Sequence, residues 1–192
     1  VRRMAPKLLG SISRAVNLCE TTLAFGRAEE PPPVLDRIEL AKIADDVIQG
    51  ERLAVNGDFV TLEDQVPSGK VVRADPEHLF RVLSTLTRNA RQAIEASGQP
   101  GQVTIGAEET DAEWVISVSD TGPGLPPKAQ ENLFRAFQGG ARKGGTGLGL
   151  AIAAELVRGH GGHLDMVHTG EEGTRFSIVL PKGLAITNGV HA

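Results

Sequence analysis

Asp120 closes the apolar run VISVSD and is followed at once by Gly122 and Gly124. Further on, Gly144, Gly145, Gly147 and Gly149 lead into LGLAIAAELVRG, and the polar segment between the two clusters carries Arg135, Arg142 and Lys143. A carboxylate taken out of water is costly unless a donor meets it. The exocyclic amine of a base is such a donor, and a site built around that bond rejects bases lacking it. Glycines let backbone N–H groups approach phosphate oxygens, and a helix that starts there adds its positive dipole end. These residues predict a nucleotide pocket with a movable cover.

Within that reading each residue has a task. Asp120 accepts from the base, Gly122 and Gly124 supply the turn and clear room, and Leu125 packs on the ring face. The backbone of Gly145, Thr146, Gly147, Leu148 and Gly149 meets the phosphates. Gln138–Gly147 is the hinged cover, from which Arg142 and Lys143 neutralise the terminal phosphate. Thr174, directly after Gly173, reaches the ring edge, directly or through water. Asn89 stands inside a helical stretch, where Asn is mildly unfavourable, and its amide oxygen is a hard ligand suited to Mg²⁺. Each has a plainer alternative: Asp120 as the first residue of a turn, Asn89 bonded to nearby backbone, Arg142 and Lys143 simply solvated, and Thr174 as an ordinary strand threonine. Two other glycine-loop readings fail. GARKGGTG lacks the Gly-Lys-Ser/Thr ending of a P-loop, and polar sequence stands where a Rossmann turn needs a strand.

Several elements must position these residues. Across Val1–Arg27, apolar Ala5, Leu9, Ile12, Val16, Cys19 and Leu23 recur at alternating fours and threes, predicting a helix that needs helical neighbours. Glu29-Glu30-Pro31-Pro32-Pro33 ends it and marks a semi-rigid connector. A short strand is predicted at Ile38–Leu40 and a helix at Ala41–Gly50. Phe59–Val66 and Val71–Ala74 read as a hairpin around Pro67–Lys70. Asp75-Pro76 is a strong helix start, and the helix runs to Ser97-Gly98 with Leu79, Val82, Leu83, Leu86, Ala90, Ala93 and Ile94 on one broad face. Val103–Glu109 and Glu113–Ser119 are strands, Leu148–Arg158 is a helix, and His163–His168 with Thr174–Leu180 form a final hairpin. This order predicts a two-layer α/β sandwich, a mixed sheet with helices on one face. The expected organisation is a partial helical domain over 1–30, a linker over 31–37, the main domain over 38–182 and a loose tail over 183–192.

At 192 residues, 40% hydrophobic and a formal charge of -4, the chain calls for neither nucleic acid nor an anionic membrane as partner. One cysteine suits a reducing, cytoplasmic setting. The chain starts in what reads as mid-helix, so it is expected to be a piece of something longer, whose upstream part could carry a membrane anchor.

The motifs also carry a resemblance. DTGPG resembles the G1 box of the GHKL ATPases (gyrase, Hsp90, MutL and the sensor histidine kinases), and GTGLGL resembles their G2 box. RNARQAIEA around Asn89 resembles the N box, LFRAF the F box, and GEEGT at Gly170–Thr174 the last glycine motif. Order and spacing are similar to the histidine-kinase branch over Ile38–Pro181. The resemblance implies the Bergerat fold, ATP as ligand, Asn89 as Mg²⁺ ligand, a homodimer through the Val1–Arg27 helix and a response regulator as partner. Thr85 and Gln92 depart from the usual Asn and basic residue, which bears on metal affinity and turnover. The family's phosphoacceptor is a His followed by an acidic residue and a nearby Pro. His78, His160, His163, His168 and His191 all lack that context, so this piece is expected to bind ATP without labelling itself. His160 and His163 have ligand-like spacing, but GHGG reads better as a helix-ending turn. An anti-sigma-type serine kinase, a gyrase- or MutL-like ATPase needing a catalytic Glu in the N-box helix (Glu77 is not far from the expected region, whereas Glu95 is on the wrong side of Asn89), and a nucleotide-independent scaffold for a response regulator are the competing functions.

Overall fold

The structure, a computed structural model, describes residues 31–55, 59–136 and 147–183. The predicted Val1–Arg27 helix, the cover residues Arg142, Lys143, Gly145 and Thr146, and the tail after Gly183 lie outside the described residues. Two compact units divide the chain, one containing Pro32–Leu125 and the residues from Ala153, the other Pro126–Ile152.

The first unit holds the sheet. Its elements are β1 (Asp36–Glu39), α1 (Leu40–Arg52), β2 (Val60–Gln65), β3 (Val71–Ala74), α2 (Pro76–Ser97), β4 (Gly101–Glu109), β5 (Glu113–Asp120), β6 (His163–Gly170) and β7 (Gly173–Pro181). The second contains the short α3 (Pro127–Gln130) and the start of α4 (Gly149–Gly159). The main sheet has five strands in the order β2-β4-β5-β7-β6. β2 lies parallel to β4, and the remaining pairs are antiparallel, so the sheet is mixed as expected.

One expected pairing is overturned. β2 and β3 do not form a hairpin: β3 pairs antiparallel with β1 in a separate two-stranded sheet. Pro67-Ser68-Gly69-Lys70 is good turn chemistry, but β2 finds its partner in β4, across the intervening helix. A parallel neighbour reached through a helical crossover satisfies the ladder while placing α2 on the sheet face.

That helix is built as its sequence directs. The Asp75 carboxylate accepts from His78 N–H at 3.0 Å, Pro76 occupies the first turn, and Gly98 ends the helix in the left-handed region at φ 70. Leu79, Val82, Leu83, Leu86, Ala90 and Ile94 are buried on one face, toward β4 and β5. α1 packs beside α2. At this contact the buried Glu51 carboxylate accepts from Arg91 Nε at 2.8 Å and Arg88 Nε at 3.2 Å.

Strand register makes the core face explicit. Ile105↔Val118, Ala107↔Ile116, Ile116↔Ile178, Val118↔Phe176 and Trp114↔Leu180 stand opposite one another, all pointing to the helical layer. Thr104↔Ser119, Ser117↔Ser177 and Ser119↔Arg175 line the other face. This alternation gives the two-layer sandwich.

Candidate functional site

The apolar rows end in polar residues at one end of the sheet. Two residues beyond Val118↔Phe176 comes Asp120↔Thr174, and Thr174 is in turn opposite Thr169. Residues directly opposite share a face, so Asp120, Thr174 and Thr169 stand side by side across β5, β7 and β6. They lie on the core side. Thr174 is 6% exposed and Asp120 is half-buried.

The loop after Asp120 is pinned to the β6–β7 turn. Asp120 Oδ1 accepts from Gly122 N–H at 2.8 Å. Thr121 exchanges two hydrogen bonds with Gln102, its N–H donating to the Gln102 carbonyl at 3.1 Å and its Oγ1 accepting from Gln102 N–H at 2.9 Å. Leu125 N–H donates to Thr169 Oγ1 at 2.8 Å, and Thr169 Oγ1 lies 3.1 Å from Thr174 Oγ1. Gly124 has φ 73, and a Cβ there would run into the Gly170 carbonyl. At Gly173, φ 119, a Cβ would meet the Asp120 carbonyl. Both glycines are needed because two backbone segments cross in near contact.

Asn89 belongs to the helix beside this loop. A Cβ at Gly122 would sit 3.4 Å from Ala93 Cβ, so the Ala93 side of α2 faces the loop. Asn89, half-buried, is four residues earlier and on the same helical face, about 6 Å along the axis. Thr85 is one further turn away, and Gln92 is exposed.

The structure therefore brings together Asp120, Gly122, Gly124, Leu125 and Thr174, with Asn89 on the adjoining helix face. Gly147, Leu148 and Gly149 belong to the other unit. There Gly147 adopts φ 67, Gly149 opens α4, and Ile152 N–H donates to the Leu148 carbonyl at 2.9 Å. That is a glycine-bounded helix start, with backbone donors of the type that anions use. Thr169 is absent from the sequence reading. Only its register opposite Thr174 marks it, and register is invisible in a strand taken alone.

A second polar cluster lies at the start of α2. His160 Nε2 accepts from Asp75 N–H at 2.9 Å, and its Nδ1 donates to the Leu156 carbonyl at 2.7 Å. Asp75 Oδ2 accepts from Val34 N–H at 2.9 Å, while the His78 ring meets the His160 ring edge-on at 5.7 Å. Both His160 nitrogens are engaged and His163 is exposed beside Asp165, so the pair is a helix-ending turn and not a metal site. Burial pushes His160 below the ordinary histidine range, against the opposing pull of the Leu156 carbonyl. Burial pushes the Asp75 carboxyl up, but the N–H groups of His78 and Val34 outweigh it, so it titrates below the usual aspartate range.

Comparison with known proteins gives the family. The family model described as histidine kinase-, DNA gyrase B- and HSP90-like ATPase matches residues 74–184. The sensory histidine kinase/phosphatase NtrB of Salmonella typhimurium is 35% identical over 148 residues, covering 73% of this chain and 42% of NtrB. Sensor histidine kinase ZraS of Escherichia coli O157:H7 is 37% identical over 121 residues, 63% of this chain and 25% of ZraS. The chain thus spans less than half the length of these curated relatives. Among solved structures, full-length ShkA in complex with AMPPNP has a TM-score of 0.78 at 26% identity, covering 96% of this chain and 39% of ShkA. The Acinetobacter baumannii histidine kinase AdeS, at 20% identity and TM-score 0.73, covers 93% of this chain and 83% of its own and shares the fold. With its glycine-bounded acidic strand end set inside the matched segment, the chain belongs to the histidine kinase-, DNA gyrase B- and HSP90-like ATPase family.

Proposed function

We propose that this chain is the ATP-binding part of a two-component sensor histidine kinase, which holds ATP with Mg²⁺ and presents the γ-phosphate to a histidine on a separate helix. The observation that carries the proposal is Asp120, a carboxylate ending an otherwise apolar core row within the family-matched segment. Asp120 accepts from the exocyclic amine of adenine, while the loop through Gly122 and Gly124 leaves room for the ring and Leu125 packs on it. Thr174 reaches the ring edge. The helix start at Gly147–Gly149, with Gly145 and Thr146, receives the phosphates, and Arg142 and Lys143 neutralise the terminal one.

The residues present suit a metal of the Mg²⁺ class: Asn89 offers a hard amide oxygen on the α2 face that looks toward the loop, and such an ion takes its other ligands from phosphates and water. Bound there, Mg²⁺ would neutralise phosphate charge. The histidine-kinase names of NtrB and ZraS support the kinase assignment, and the ThkA structure in complex with response regulator protein TrrA supports a response regulator as partner, to whose aspartate the phosphoryl group would pass. A homodimer through the Val1–Arg27 helix and a cytoplasmic setting complete the proposal.

Titration calorimetry with ADP and Mg²⁺ tests it. Asp120→Asn should weaken binding by about 100-fold, since an amide presents a donor where the amine needs an acceptor. Equal affinity for both proteins would remove the pocket. Asn89→Ala should reduce the Mg²⁺-dependent gain in ATP affinity by about tenfold while leaving metal-free ADP binding unchanged.

A further inference from the structure

We infer that Thr169, on β6, is a positioning residue of the base pocket: it orients the Thr174 hydroxyl and holds the Gly124–Leu125 turn in place. The inference rests on the base-pocket reading above and deepens it. Thr169 Oγ1 accepts from Leu125 N–H at 2.8 Å and lies 3.1 Å from Thr174 Oγ1. A hydroxyl has one proton and two lone pairs. Thr169 uses one lone pair on Leu125; the 3.1 Å contact with Thr174 admits either hydroxyl as donor, and in the proposed arrangement Thr169 donates and Thr174 accepts. The Thr174 proton is then directed away from β6, on the side of its other cross-strand neighbour, Asp120.

Thr174 is consequently a donor in a pocket where Asp120 is an acceptor. The two complement the acceptor and donor edge of adenine. The arrangement also explains why a polar residue on β6 touches this loop at all. Leu125 and Thr169 are 44 positions apart, and their bond ties the loop to β6. One hydroxyl thereby sets both the donor direction at Thr174 and the height of the loop over the ring.

Calorimetric titration of ADP and inosine diphosphate, whose base lacks the exocyclic amine, tests the assignment. Thr169→Val is near-isosteric and removes the hydroxyl, and Thr169→Ser retains it. Thr169→Val should weaken ADP by about tenfold and narrow the preference for ADP over inosine diphosphate by about threefold. Thr169→Ser should restore both to within about twofold of the parent. The double variant Thr169→Val/Thr174→Val should lose no more ADP affinity than Thr174→Val alone, because the two hydroxyls act as one unit.

A merely structural Thr169 would weaken both nucleotides equally, and an unchanged preference in Thr169→Val overturns the assignment. So do additive losses in the double variant, which can be scored with Thr169→Ala in place of Thr169→Val should the valine variant melt below the assay temperature. Asp120→Asn in the same assay separates the two layers. If it leaves ADP affinity intact, the pocket reading itself falls; if it abolishes binding while Thr169→Val changes nothing, only the role of Thr169 falls.

Discussion

Asp75 and Asp120 begin alike and end differently. Each comes at the end of a stretch with apolar character, VVRA before Asp75 and VISVS before Asp120, and each has a Pro or Gly within the next two residues. At Asp75 the next residue is Pro76, so the chain enters a helix and the carboxylate becomes its cap. Its two oxygens accept from His78 and Val34 N–H, and its own N–H goes to His160. At Asp120 the next residues are Thr121 and Gly122, so the chain stays open as a loop pressed on the Gly170–Gly173 turn. The first carboxylate caps a helix, and the second accepts from the Gly122 N–H of its own loop at the half-buried end of the core row, where the proposed nucleotide would meet it. Position on a strand end does not separate them; what the backbone does next decides whether the carboxylate caps a helix or lies against a loop.

The contrast can be broken in steps. The largest effect belongs to Asp120→Asn on nucleotide affinity, about 100-fold by calorimetry, which is about 2.7 kcal/mol. Asp75→Ala should act on stability instead. Loss of a helix cap together with the acceptor for Val34 should cost about 2 kcal/mol, lowering the melting temperature by about 4–8 °C, while the folded fraction keeps its ADP affinity. A variant that loses binding without losing stability at Asp75 would erase the distinction.

A smaller effect comes from pH. His160 is neutral in the fold with its pKa lowered, so the unfolded chain binds the proton first as pH falls. Its contribution is complete above the ordinary histidine value of about 6.5 and is lost as pH drops from there toward the depressed folded value. The groups facing it are the His78 ring and Asp75, and Asp75 stays ionised in this window because its own pKa is lowered. Chemical denaturation should give a lower unfolding free energy at pH 5 than at pH 7, and His160→Gln should flatten that dependence. The smallest effect is Asp120→Asn on stability, expected within about 0.5 kcal/mol, since the amide oxygen still accepts from Gly122 N–H.

Much of the fold was legible because it is locally encoded. The α2 start at Asp75-Pro76 and its stop at Gly98 follow from cap chemistry, and the observed bounds Pro76–Ser97 match them. The alternation in Val103–Glu109 and Glu113–Ser119 survives as β4 and β5, each within two residues of the expected limits. The false hairpin of β2 with β3 shows where local reading stops. Turn residues state that the chain reverses, not which strand receives it, and here β1 and β4 are the better partners. The helix α3 also went unread, because four residues carry too little periodicity to signal one.

The sequence by itself determined the identities of the chemical groups: an acid at a strand end, glycines around it, and an Asn within the helix beside it. Short-range sterics and periodicity suffice for that, since each signal lies within a few residues of its cause. Tertiary structure alone decided that Thr174 and Thr169 share a face with Asp120, that Leu125 leans on Thr169, and that His160 closes over Asp75 from 85 residues away. Those choices depend on strand register and on burial between distant segments. Both are set by which apolar rows fill the core together, a quantity no single stretch of chain contains.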